Sequence, residues 1–334
     1  MLYAVLRFKY INFYCIMRIL ISGASGFIGT NLLQYYLDKK VEVQNLDVLE
    51  PRCKSLQPYW KKIDITDYDS FHSAIAEFNP DYIIHLAART DLDGKSLGDY
   101  SSNIKGVINV LKAAEKCPNL KKILITSSML VCHTGYQPKN QFDYAPTTIY
   151  GESKVKTEEI VWANKPKCDW AILRPTSIWG PWFGVPYRNF FDMVKARRYF
   201  HIGHKSCTKT YGYVGNAVYQ IDKILMSDTR DEKNKVFYLG DEPPIFIEEW
   251  ANEIAGELGF RVPRMPMPLL RCAGWFGDFL KLFGLHFPMT SFRLKNMTTD
   301  NIINLSNTMT IAPNPPYSRI EGVRKTLKWM KEEC

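Results

Sequence analysis

The feature that most constrains this chain is Gly23-Ala24-Ser25-Gly26-Phe27-Ile28-Gly29, in which glycines recur three apart. The apolar stretch Arg18 to Ser22 before it reads as a short strand, and the residues after it favour a helix. A helix that starts at such a turn points unpaired N–H groups and its positive dipole end at whatever lies over the loop. Glycine removes the side chains that would keep an anion away from that main chain. In this pattern Gly23 permits the tight turn, Gly26 lets a pyrophosphate approach, and Gly29 lets the helix pack on the strand. Ser25, Phe27 and Ile28 are expected at the same ligand. Asp47 lies 18 residues beyond Gly29, at the end of another apolar run. A carboxylate there accepts the ribose hydroxyls of NAD and repels the extra phosphate of NADP. The stretch therefore predicts an NAD site, with NADP the less favoured cofactor and Arg52 the cation that could serve it.

Around this loop, apolar runs alternate with helical segments. Candidate strands are Arg18 to Ser22, Val41 to Leu46, Trp60 to Ile63, Tyr82 to Leu86, Lys122 to Thr126 and Trp170 to Leu173. Asn103 to Lys116 and Ser153 to Asn164 are amphipathic helices. The alternation predicts an α/β fold, a Rossmann-type doubly wound parallel sheet that binds ligands at the carboxyl ends of its strands. Residues 17–178 are expected to form the NAD-binding unit. After Trp179 the rhythm breaks at Gly180-Pro181 and Pro186. Residues 179–334 are expected to form a smaller, interleaved substrate-binding part, with some segments returning to the sheet. The run Pro268 to Leu285 is apolar apart from Arg271, Asp278 and Lys281, and reads as a partly buried helix or a lid rather than a membrane contact. Residues 1–16 are apolar but broken by Arg7 and Lys9, too short to span a bilayer and without a small-residue cleavage site. They are expected to be a start-site artefact or a loose arm, dispensable for folding.

At 334 residues, 46% hydrophobic and 23% charged, the chain can bury its own core without staples. Its net charge of +9 is scattered, with no basic run longer than a pair, so a nucleic-acid partner is not expected. The eight cysteines contain no CxxC pair and read as reduced thiols of a cytoplasmic protein. His201 and His204 lack the carboxylate or Cys partners of a zinc site, and no metal is expected.

Ser128 follows the fifth strand, and Tyr150 and Lys154 come 22 and 26 residues later. Tyr and Lys four apart share one helix face, which sets an ammonium beside a phenol. A free phenol has a pKa near 10, and bringing it to about 7 requires roughly 4 kcal/mol of differential stabilisation. A phenol so tuned can take the proton of an alcohol or return one to a carbonyl, while a serine hydroxyl holds the same oxygen.

With these motifs the chain resembles the extended short-chain dehydrogenases/reductases of the NAD-dependent epimerase/dehydratase family, well over residues 17 to about 260 and loosely beyond. Asp64-Ile65-Thr66 is similar to the family's adenine-contacting segment, and Ile83 to Ala88 to the strand whose end, at Leu86, Ala87 and Ala88, lines the cofactor. Asn103 stands at the family's asparagine, and Ile172 to Pro181, with Pro175, at the segment passing the nicotinamide. The resemblance implies Tyr150 as proton donor or acceptor, Lys154 on the nicotinamide ribose and Ser128 on the reacting oxygen. It also implies a homodimer through the helices of Asn103 to Lys116 and Tyr150 to Asn164. Met129-Leu130 replace the Asp-Glu pair of the 4,6-dehydratases, whose elimination chemistry needs an extra acid and base. Sugar-acid decarboxylation is weakened by the same departure. A 4-epimerase, a ketosugar reductase or a simple alcohol dehydrogenase remains, with a nucleotide-sugar the leading substrate. Ser177 and Lys209 stand where such enzymes commonly carry Asn and Arg, and are the expected substrate contacts. A hydroxysteroid-like enzyme on a lipophilic alcohol is the alternative. A non-catalytic NAD-sensing module is a third, disfavoured because Ser128, Tyr150 and Lys154 are all kept.

Overall fold

Short apolar runs line up side by side, all parallel, in a seven-stranded sheet. The computed structural model describes residues 17–203, 207–231, 235–285, 290–291, 294 and 298–332. Residues 1–16, His204, Cys15 and Cys334 lie outside the described residues. The first strands are β1 (Arg18–Ser22), β2 (Glu42–Asp47), β3 (Trp60–Lys62), β4 (Tyr82–His85), β5 (Lys122–Thr126) and β6 (Asp169–Pro175). Between them run α1 (Phe27–Asp38), α2 (Tyr68–Phe78), α3 (Ser101–Glu115) and α4 (Ile149–Ala163). Further along, β7 (Ser177–Trp179) pairs with β10 (Tyr211–Tyr213), β8 (His201–Ile202) with β13 (Arg264–Met265), and β9 (Thr208–Lys209) with β12 (Ile245–Phe246). The last strand of the large sheet, β11 (Val236–Leu239), adds beside β6, giving the order β11-β6-β5-β4-β1-β2-β3.

Inside the edge strand β3, the strands of the large sheet alternate between two buried faces, the expected result of a period of two in a sheet covered on both sides. Ile19, Ile21, Ile84, Leu124 and Leu173 join Leu32 and Leu33 of α1 and Ile221 and Ile224 of α6 (Val214–Met226). Leu20, Ile83, Ile123, Ile125 and Ile172 join Phe71 and Ile75 of α2 and Val107 and Val110 of α3. The chain leaves β1 for β2 on one side and later reaches β4 on the other. The strand order therefore reverses between β1 and β4, which opens a crevice at their carboxyl ends.

Strand ends differ slightly from the sequence reading because ladder bonds, not hydrophobicity, decide them. Leu86 N–H donates to Ser22 O at 2.9 Å as the last rung, so β4 stops at His85. α4 starts at Ile149 rather than Ser153, because Thr148 Oγ1 accepts from Gly151 N at 3.0 Å and caps it. That start brings Tyr150 into the first helical turn.

Beyond β7, α5 (Tyr187–Lys195) and α7 (Ile247–Glu257) close over an aromatic core. Trp179, fully buried, lies 5.1 Å from Trp250 and 5.7 Å from Phe191 between ring centroids. α8 (Met267–Leu282) follows β13, with Leu270 buried and Trp275 exposed. Among the described residues no helix is long and apolar enough to cross a membrane. Among them, too, no cysteines are joined by a disulfide, and no cluster of three His, Cys, Asp or Glu could hold a metal.

Candidate active site

Ser22 and His85 are register partners, so the loops leaving β1 and β4 start side by side. Gly23 has φ +80°, and a Cβ there would sit 2.5 Å from the backbone N of Ala87. A Cβ on Gly29 would fall 2.5 Å from Gly23 O. Both glycines are thus required by main chain against main chain. α1 begins after Gly26 with no side-chain cap and no acidic residue in its first turn, and Phe27 and Ile28 pack half-buried against the core. The helix start is left as an anion site at the crevice.

Asp47 is buried at the end of β2, and its two carboxylate oxygens accept from Ser25 N and Leu49 N, each at 3.0 Å. Burial, partly offset by those bonds, raises its pKa above the usual carboxylate range. Ser25 donates its hydroxyl to Leu49 O at 2.8 Å and accepts from Asn45. Arg52, the cation weighed for NADP, donates to Ser25 O at 3.1 Å and to Trp182 O at 2.9 Å, so its guanidinium is spent on holding the loop. Asp64 is exposed, with one carboxylate oxygen turned back on Thr66, while Ile65 is buried under α3 at Gly106. Leu86, Ala87 and Ala88 line the β4 side of the crevice, half-buried. Naked main chain, an uncapped helix start and a carboxylate at the end of β2 together fit a dinucleotide.

Asn103 is buried and works as a clamp. Its side chain bonds both N–H and C=O of Arg89, at 2.8 and 3.1 Å, and donates to Ser153 Oγ at 3.0 Å. Ser153 Oγ donates in turn to Tyr150 O at 2.7 Å, so the loop after β4 is locked to the helix carrying Tyr150.

Ser128 caps a short turn by accepting from Leu130 N at 3.1 Å, and its hydroxyl stands near enough to the Tyr150 phenol to favour its ionised form. Lys154 Nζ donates to Thr126 O at 2.9 Å. Ser128, Tyr150 and Lys154 therefore meet at the end of β5. Their electrostatics differ from the sequence expectation. Burial pushes the Tyr150 phenol up to about 12, with the Ser128 hydroxyl opposing and the neighbouring Tyr187 and Tyr100 adding to the rise. Burial likewise brings Lys154 down to about 8, against the field of Glu158. In the protein by itself, desolvation governs both the phenol and the ammonium.

The structure adds residues that spacing did not single out. His85 is buried, its Nδ1 2.7 Å from Ser22 Oγ, and burial plus the Lys154 charge hold it down to about 3, a neutral imidazole. Glu158, one turn beyond Lys154, forms a bidentate pair with Arg174 of β6 at 2.8 and 2.7 Å, both fully buried. Tyr144 also donates to Glu158, at 3.0 Å. The helical period from Tyr150 through Lys154 to Glu158 was a usable signal. Nothing local marked Arg174, His85 or the tyrosines. Ser177 acts on the phenols of Tyr187 and Tyr211, lowering both, and Tyr187 raises the Tyr150 phenol, which sets this trio near it. Pro175 ends β6 just before. Lys209 sits on β9, with its charge acting on the Cys207 thiol. Met129 and Leu130 border a cavity of about 220 Å³ that also touches Arg174, Tyr238 and Asn301, with no carboxylate lining it.

The pattern of the NAD dependent epimerase/dehydratase family matches residues 19–240. An N-acetyl-alpha-D-glucosaminyl-diphospho-ditrans,octacis-undecaprenol 4-epimerase of Escherichia coli O157:H7 is 28% identical over 93% of this chain and 95% of its own. A decarboxylating sterol-4-alpha-carboxylate 3-dehydrogenase of Saccharomyces cerevisiae is 26% identical over 94% of this chain and 98% of its own. Among solved structures, a Bordetella bronchiseptica enzyme in complex with NAD and UDP superposes with a TM-score of 0.71 at 21% identity, covering 95% of this chain and 94% of the other.

Proposed function

Because the chain belongs to the NAD-dependent epimerase/dehydratase family, we propose that it is a 4-epimerase for a sugar carried on a diphosphate. The leading substrate class is a nucleotide-sugar. The observation that carries this reading is the meeting of Ser128, Tyr150 and Lys154 at the end of β5, with Met129-Leu130 in the place where elimination chemistry needs acids. Such a group can move one proton at one oxygen and no more.

Gly23, Ser25, Gly26 and the first turn of α1 would hold the pyrophosphate of NAD, and Asp47 the adenosine ribose, in preference to NADP. Asp64, Ile65, Leu86, Ala87, Ala88, Asn103, Lys154 and Pro175 would complete that site. Bound there, NAD supplies a hydride acceptor that gives the hydride back. Tyr150 removes the proton of the sugar's C4 hydroxyl and later returns it to the ketone oxygen, with Ser128 holding that oxygen through both halves. Lys154, kept in place by Thr126 O, brings a positive charge toward the ribose and phenol. Ser177, through Tyr187 and Tyr211, shapes the sugar side, and Lys209 is the cation offered to the diphosphate. The same reading places the enzyme in the cytoplasm as a homodimer packed through α3 and α4.

A second reading, oxidation of a hydroxysteroid-like alcohol, draws support from the sterol dehydrogenase relative that aligns over nearly the whole chain. One assay separates the two. Purified protein is incubated with UDP-linked hexoses, a polyprenyl-diphospho-N-acetylhexosamine and a sterol alcohol, and products are resolved by chromatography. The expected result is a C4 epimer without net cofactor reduction, cut at least about a hundredfold in Tyr150→Phe while NAD affinity is kept. Net oxidation of the sterol with no epimer formed would replace the first reading by the second. Full turnover in Tyr150→Phe would remove the tyrosine from the chemistry of either.

A further inference from the structure

α8 is apolar nearly all round, and among the described residues one side of it is buried while another is exposed. Leu270, Gly274 and Gly277 face inward, and Gly274 lies against Ser291. The opposite side carries Trp275 and Phe279, four apart and exposed by 67 and 55%, and Leu269 in the first turn is 56% exposed. Phe283 and Leu285 extend the stripe past the helix end at 67 and 56% exposure, and the Phe279 and Phe283 rings stack edge to face at 5.1 Å. A helix with two apolar faces and one covered normally has a second partner.

Charge indicates what that partner is. From residue 261 to 297 the sequence holds Arg261, Arg264, Arg271, Lys281, Arg293 and Lys295 against a single acid, Asp278. In sequence, then, these 37 residues hold a net +5 of the chain's +9, although no two of the basic residues are adjacent. Arg264 is engaged by Glu248, while Arg261 and Arg271 are exposed. At 16 residues the helix is roughly 24 Å long, short of a bilayer core. Exposed Trp, Phe and Leu on a helix that also exposes Arg271, in a segment rich in Arg and Lys, is the composition of a helix that lies in the headgroup plane of an anionic leaflet. A second copy of this chain would bring the same positive charge to the contact and be repelled by it.

We propose that the exposed face of α8 docks the enzyme on an anionic lipid surface, lying in the interface without crossing it. This goes beyond the substrate reading and does not depend on it, since the readout is partition, not turnover. Full-length protein is floated with vesicles of phosphatidylcholine alone and of phosphatidylcholine mixed with phosphatidylglycerol. Wild type is expected to float with the mixed vesicles at low salt and to be released as salt rises. The double variant Trp275→Asp, Phe279→Asp is expected to lose at least tenfold in partition, with unchanged circular dichroism and NAD affinity. Leu92→Asp, an exposed apolar site elsewhere, should change nothing. Wild type that stays with the soluble fraction, or a double variant that floats as well as wild type, overturns the proposal. So does a double variant that alters the oligomeric mass by light scattering while vesicle binding persists, which would make the stripe a contact between copies.

Discussion

His85 shows how one side chain takes its chemistry from segments far apart in sequence. Its place on β4 was legible, because a period of two sets it with Ser22 at the crevice end of the strands. Its charge state was not, since the Lys154 ammonium that acts on it arrives on α4. Burial and that ammonium hold the folded-state value down to about 3, whereas an unfolded histidine titrates near 6.5. Below pH about 6.5 the unfolded chain takes up a proton that the fold refuses, so this residue drains stability as pH falls towards 3. Replacing it removes the drain. Urea unfolding of wild type and His85→Asn between pH 4 and 6 should give slopes differing by up to about 1.4 kcal/mol per pH unit, wild type the steeper. Parallel slopes would mean that the imidazole is protonated inside the fold.

At the scale of elements, α4 explains why the Tyr-Lys spacing was readable and its support was not. Tyr150, Lys154 and Glu158 recur every fourth residue, so one face of one helix carries the phenol, the ammonium and a carboxylate. The sequence marks that face but cannot say that β6 brings Arg174 against it, because the contact is made by sheet order. Glu158 and Arg174 are fully buried, Tyr238 and Gln141 each accept one more guanidinium bond, and the pair locks helix to strand. Burying two charges has a large desolvation cost, so the pair adds little net stability over an apolar match, but losing one partner leaves the other stranded. Glu158→Gln or Arg174→Met alone should therefore lower the unfolding free energy by about 3–5 kcal/mol. The double variant should lose clearly less than the sum, with an unchanged denaturant slope. Additive losses would show that the two side chains act separately.

For the molecule as a whole, the half built by strand-helix alternation was legible and the rest was not. The six early strands lie within about two residues of their predicted ends, since all but the edge strand β3 are runs buried on both faces. Past residue 179 the pairs β8–β13 and β9–β12 are two residues long and join segments far apart, as Arg264 with His201. Two residues carry no periodicity, so such pairings exist in tertiary structure alone. The legible half converges on the turn at Gly23, where β1, β4 and α1 meet and where the proposed dinucleotide would bear on the main chain. Ala at that position meets a positive φ and the Ala87 backbone at 2.5 Å, both rigid. The strain should lower stability by about 1–3 kcal/mol. NAD at about a hundred times its Kd should stabilise wild type by about 2.7 kcal/mol, a Tm rise of several degrees for a chain of this size. Gly23→Ala should start lower and show no rise at the same NAD concentration, because the main chain that receives the pyrophosphate has been pushed away from α1. An equal rise in the variant would put the dinucleotide somewhere other than this turn.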